Sequence, residues 1–210
     1  IGCALLVSTV SFGQLSVSNA ETLVNNTTAE AQQNPAISQD TAGRYVVVWE
    51  SEGQDGDGFG IYAEIYNADH TVRVSEFLVN TVDQTGDQRH PDVDMDVNGN
   101  FCVVWQSNED DVLYDQEWDV YRRIYDVDGV AITSRSRVNS TTSRNQQRPS
   151  VAMNESYVVV AYMSQFGTDD YSVRGRFYDA TTGAALQSPF DAMTNSGDHV
   201  AHVDVTIEDR

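Results

Sequence analysis

YVVVW, residues 45–49, returns as FCVVW at 101–105 and as YVVVA at 157–161. The opening aromatics Tyr45, Phe101 and Tyr157 are evenly spaced at about 56 residues, and a fixed period of that size marks a repeat architecture. Each string is almost wholly β-branched and aromatic, which reads as a strand buried on both faces. Other landmarks keep their order around it. Leu23-Val-Asn25, Leu78-Val-Asn80 and Arg137-Val-Asn139 come first. QQNPAI ending at Ile37, QRHPDV ending at Val93 and QQRPSV ending at Val151 follow. IYAEIYNAD, VYRRIYDVDG and VRGRFYDATTG come last, with Tyr66, Tyr125 and Tyr178 in register.

Each unit predicts four short strands. Pro35–Asp40 alternates apolar and polar as a half-buried strand does. A turn follows, Thr41-Ala-Gly43 in the first unit and Asn98-Gly99 in the second; Asn-Gly is a strong hairpin signal. Beyond the buried strand lies an acidic loop, then a third strand at Ile61–Asn67 and a fourth ending in Phe77-Leu-Val-Asn80. Helical spacing is absent throughout. Four antiparallel strands per unit predict an all-β, β-propeller-like array, because about 56 residues cannot close a sandwich of roughly 100 residues. The expected domain holds three full units, 23–77, 78–137 and 138–190, and the start of a fourth at 191–210. In that fourth unit His202–Ile207 predicts the first strand. Gly2-Cys-Ala-Leu-Leu6 can be laid on Phe101–Trp105, so residues 1–22 complete the split blade or are donated to a neighbour. Read alone, the same stretch resembles a secretory signal with Ser18-Asn-Ala20 before the cleavage point.

Charge narrows the partners. The net charge is −20, with 32 acids against 12 basic residues, all of them arginine. Nucleic acid and anionic membrane both need a basic face and are excluded as partners. The longest apolar run, Cys3 to Val7, is too short for a membrane span. Short carboxylates crowded on loops favour Ca²⁺, a cation of hard oxygen ligands. The candidate ligands are Asp55 and Asp57 in the first unit, Asp110 and Asp111 in the second, and Asp169 and Asp170 in the third. Each pair is too small a ligand set alone, and the plain alternative is a solvated acidic hairpin tip.

Other motifs weigh less. Asp94-Met-Asp-Val-Asn-Gly99 resembles the opening of an EF-hand loop, but its twelfth position is Trp105. It reads instead as a hairpin, with Asp92, Asp94 and Asp96 on one strand face. His199 and His202, with Asp198 and Asp204, make a weak surface metal site or none. Nucleophile-elbow, zinc-protease and phosphate-loop motifs are lacking, so no catalytic residue is assigned and a non-enzyme is expected. Cys3 and Cys102 form a disulfide or remain buried thiols. Trp49 and Trp105 read as core, whereas Trp118 follows an acidic loop and reads as an exposed sugar-contacting aromatic. Asn26, Asn139 and Asn154 lie in N-x-[ST] sequons.

Several strings carry a resemblance. Val24-Asn25, Gln33, Pro35, Tyr45–Trp49, Gly53-Gln-Asp-Gly-Asp-Gly58, Ile61-Tyr62, Tyr66 and Glu76-Phe77 match, as do Gly86-Asp-Gln88, Pro91, Asn98-Gly99 and Asp126-Val-Asp-Gly129. Over roughly residues 22–190 the units resemble a bacterial extracellular repeat family found in large RTX-type secreted proteins. The third unit departs most: Ala161 stands where the tryptophan belongs, and Gln165–Asp170 replaces the glycine-rich loop. The resemblance implies secretion, a propeller-like fold and Ca²⁺, but no activity. The expected function is a non-catalytic extracellular or cell-surface structural protein, a fibre subunit that self-associates head-to-tail through the N-terminal strand. The alternative is a glycan-binding or adhesive propeller with Ca²⁺ in its acidic loops.

Overall fold

The computed structural model describes residues 22–81, 85–108, 117–168, 170–193 and 202–207. The described residues contain strands and no helix, and so no helix long and apolar enough to cross a membrane. Three four-stranded antiparallel sheets follow one another along the chain. The first holds β1 (Gln32–Gln39), β2 (Tyr45–Glu52), β3 (Phe59–Tyr66) and β4 (Val72–Leu78). The second holds β5 (Gln88–Met95), β6 (Phe101–Ser107), β7 (Asp119–Tyr125) and β8 (Ser136–Arg137). The third holds β9 (Gln146–Met153), β10 (Tyr157–Gln165), β11 (Tyr171–Asp179) and β12 (Phe190–Met193). Strands are ordered in space as in sequence, a meander in each sheet. This is the expected β-propeller-like fold, with three blades described.

Two-residue periodicity explains how the blades stack. Val46 and Val48 of β2 point to the second sheet, where they meet Val93, Met95, Phe101, Val103 and Trp105. The alternate residues of β6, Cys102 and Val104, point the other way and meet Val151, Met153, Val158, Val160 and Tyr162. A strand that serves two interfaces must be apolar on both faces, which is why these central strings lack polar alternation. Cys102 is a free thiol, fully buried, and burial pushes its pKa up to about 12. Cys3 lies outside the described residues. Among the described residues, the first blade leaves one face uncovered. Val93 and Val151 are each 5% exposed, whereas Ile37, their counterpart on β1, is 64% exposed.

The turns follow from carboxylate caps. Asp96 Oδ1 accepts from the backbone N–H groups of Asn98 and Asn100, and Gly99 takes φ 90°, a conformation that suits only glycine cheaply. Asp40, Asp126 and Asp179 cap the corresponding type of turn elsewhere. The aspartates that resemble an EF-hand opening are thus split between a hairpin cap, Asp96, and strand positions.

Three expectations need correction. Tyr157 is 49% exposed while Phe101 is fully buried, so they are not structural equivalents. Met95 pairs with Phe101, but Met153 pairs with Val158, because the third hairpin is one residue shorter. A one-residue slip moves every side chain to the opposite face. Tyr162, fully buried, therefore occupies the place of Trp105, and Ala161 replaces no tryptophan. The second correction concerns residues 202–207, which form no strand. Val203 nonetheless packs on Ala161 and Met163 of the third sheet. Asn139 is also unsuited to glycosylation: it is buried, and its amide donates to Asp119 and to the Thr141 carbonyl.

Candidate functional site

Antiparallel order puts the loops before β1, β5 and β9 on the same end of the molecule as the β2–β3, β6–β7 and β10–β11 loops. At that end the first strand of every sheet is irregular. Its register breaks between Gln33 and Ala36, between Arg89 and Asp92, and opposite Ala161 and Met163. The residue before proline sits at each break with positive φ: Asn34 at 50°, His90 at 52° and Arg148 at 49°. Such a conformation is strained for a non-glycine residue and doubly so before proline. Bulges of this kind re-aim a side chain and gather at functional sites. Hydrogen bonds from the preceding blade hold two of them in place. The His90 N–H donates to Glu50 Oε1 at 2.6 Å, and the Arg148 N–H donates to Gln106 Oε1 at 2.8 Å.

The three first strands and the segment 202–207 surround a cavity of about 320 Å³. Its wall is layered. Asn34, His90, Arg148 and His202 contribute one level; Asp92, Ser150 and Asp204, each two residues further along, contribute the next. The second level brings two carboxyl groups together. Ser150 Oγ lies 3.0 Å from Asp92 Oδ2 and 3.4 Å from Asp204 Oδ1, so those oxygens are separated by no more than the two distances combined. One hydroxyl hydrogen serves only one carboxylate at a time. Burial raises the pKa of Asp92, against the lowering effect of its bonds from the Val151 N–H, the Ser150 hydroxyl and the Val93 N–H. Asp204 is exposed to the cavity. Burial also lowers the pKa of His90, with Glu50 acting in the opposite sense and Arg148 and Arg89 reinforcing the drop. His90 is accordingly a neutral hydrogen-bonding group here.

Asp94, one step deeper, has a structural task. It accepts from Ser38 Oγ of the first blade and from the Met153 N–H of the third, tying three inner strands together.

Of the aspartates expected to bind Ca²⁺, the described ones, Asp55, Asp57 and Asp170, do not line this cavity. Asp55 and Asp57 lie in the β2–β3 loop, where Asp57 accepts from the Gly86 N–H at 3.1 Å and Asp55 lies 3.4 Å from the Asn80 amide. Burial raises the Asp55 pKa. Asp170 lies in the third blade. Asp110, Asp111 and Asp169 lie outside the described residues, as do Asp198 and His199. Among the described residues, no three His, Cys, Asp or Glu side chains converge as metal ligands. Trp118 is half-buried rather than a presented aromatic, and its backbone N–H donates to Asn145 Oδ1.

The cavity carboxyls escaped motif reading for a physical reason. Asp92 and Asp204 come from different repeats, and in each repeat the same column holds a different residue: Ala36, Asp92, Ser150, Asp204. The legible trace was the pre-proline column Asn34, His90, Arg148, which carries polar donors in an acid-rich chain.

No family model matches the chain, and no curated protein matches it in sequence. Solved structures do match in fold. One is a family-43 glycoside hydrolase described as thermostable, with TM-score 0.51 and 10% identity, covering 80% of this chain and 55% of its own. Another is Zg3597, a family 117 glycoside hydrolase of the marine bacterium Zobellia galactanivorans, with TM-score 0.50 and 12% identity, covering 80% of this chain and 58% of its own. The chain thus spans less than two thirds of either enzyme, and the likeness is one of fold. It overturns two expectations, that the protein is a non-catalytic fibre subunit and that it is no enzyme. Lack of a local catalytic motif argues nothing in a fold that brings carboxyls together from segments far apart in sequence. The fold is β-propeller-like, and these two glycoside hydrolases share it.

Proposed function

We propose that this chain forms the glycan-processing part of a β-propeller glycoside hydrolase, with the axial cavity as its active site. The observation that carries the reading is the Asp92–Ser150–Asp204 arrangement on the cavity wall. Glycosidic bonds are cleaved by two carboxyl groups in different protonation states. Asp92, whose burial favours the protonated form, serves as general acid to the leaving oxygen. Asp204, open to the cavity, supplies the carboxylate that activates water or attacks the anomeric carbon. The pair sits among neutral and cationic donors that orient sugar hydroxyls.

The test is hydrolysis of a panel of aryl glycosides by the full chain. Asp92→Asn and Asp204→Asn should each lose at least about a hundredfold in kcat, the scale of one positioned acid or base. The pH profile has a definite sign. The acid must be protonated, so activity falls as pH rises through the raised Asp92 pKa, and Asp92→Asn removes that limb. Turnover that is absent from the folded wild type, or unaltered in both variants, would refute the reading.

A further inference from the structure

We propose that Ser150 is a positioning residue that holds a single proton on the Asp92–Asp204 pair over a wide span of pH. The kinetic consequence rests on the pair being the acid and base of the cavity; the proton arrangement itself does not. Ser150 is 5% exposed and pairs with Ala161 of β10, so its side chain has a fixed place in the wall. Both carboxyls are anchored by backbone. The Val93 N–H donates to Asp92 Oδ1 and the Val151 N–H to Asp92 Oδ2, each at 2.9 Å, and the Val205 N–H donates to Asp204 Oδ1 at 2.9 Å. What can turn between them is the Ser150 hydroxyl, 3.0 Å from Asp92 Oδ2 and 3.4 Å from Asp204 Oδ1.

Counting hydrogen bonds shows which protonation state the hydroxyl favours. With one proton on the pair, the protonated acid donates to Ser150 Oγ and the hydroxyl donates to the remaining carboxylate, so both contacts are made and one is charge-assisted. With no proton, the hydroxyl serves one carboxylate while its oxygen faces the charge of the other. With two protons, both contacts join neutral groups. The one-proton state gains most, and it is the state in which two carboxyls differ as glycoside cleavage requires. Removing the hydroxyl therefore moves the step from two protons to one up in pH and the step from one to none down. Other groups also bear on the pair: His90 and Asp94 on β5, Arg148 on β9, His202 beside Asp204, and the buried Cys102 thiol on β6. From β1 the cavity receives Asn34 and Pro35, neither ionisable. All of these stay when serine is replaced, so a change in the spacing of the two steps reports the hydroxyl.

Carbon-13 NMR of the full chain, labelled at aspartate carboxyls and assigned with Asp92→Asn and Asp204→Asn, tests this. The wild type should lose the two protons of the pair in two separate macroscopic steps. In Ser150→Ala the steps should close by at least about one pH unit, the scale of one charge-assisted bond. Ser150→Thr, which keeps the hydroxyl, should hold the wild-type spacing. With an aryl glycoside that the wild type hydrolyses, the kcat profile of Ser150→Ala should narrow from both the acid and the alkaline side, whereas a packing role alone would lower the profile without narrowing it. Equal spacing in wild type and Ser150→Ala would overturn the proposal. So would a wild type whose two aspartates titrate together at ordinary carboxylate pH, a result that needs no variant to fold. Narrowed spacing in a chain that hydrolyses no glycoside would uphold the proton arrangement and refute the hydrolase reading.

Discussion

Trp105→Ala should cost about 3–5 kcal/mol of stability, the range for deleting a large buried aromatic. Trp105 is fully buried at the joint between the first two blades. It stacks on Tyr121 with ring centroids 6.2 Å apart and shares its cluster with Val46, Val48 and Ile61 of the neighbouring blade. Two strand frameworks fix the walls of that space, so the void left by alanine collapses poorly. Trp105→Phe separates packing from polarity. Among the described residues the indole Nε1 has no hydrogen-bond partner, and phenylalanine removes that buried donor while keeping an aromatic face, so its cost should be less than half that of alanine. Urea midpoints read both values. An alanine variant within about 1 kcal/mol of wild type would mean that the blades do not depend on this joint.

Glu50→Ala should be comparably damaging, about 3–5 kcal/mol, and should also disturb the cavity. Glu50 is fully buried and gathers donors from two blades: the Gln33 and Asn34 amides, the His90 N–H and the Arg89 guanidinium. Removing its acceptors strands those donors and releases the bulge that aims His90. Glu50→Gln is the control. Gln106 does the same work for Arg148 in the next blade, so glutamine fits the bracket and should cost only about 1–2 kcal/mol, the difference of a charge-assisted bond. Thermal or chemical unfolding of the two variants measures the contrast; equal losses would show that charge, and not acceptor geometry, holds the joint.

The fold was legible because its determinants are local and recur. Central strings such as Tyr45–Trp49 had to be apolar on both faces to serve two interfaces, and Asn98-Gly99 announced its hairpin. What stayed hidden depended on counting across space. The hairpin of the third blade is one residue shorter, which exposes Tyr157 and buries Tyr162 although the strings look alike. The site was hidden for a related reason. Asp92 and Asp204 occupy a column that holds alanine and serine in other blades, and only closing the blades about an axis makes them neighbours. Asp92 and Asp94 look equivalent in sequence, yet one faces the cavity with a raised pKa while the other ties strands together.

The most direct measurement is a crystal structure of the chain with a bound oligosaccharide. The account predicts a sugar ring in the axial cavity, with a glycosidic oxygen within hydrogen-bond reach of Asp92 or Asp204. A sugar bound only on the acidic β2–β3 loop, or on the uncovered face of the first blade around Ile37, would contradict it.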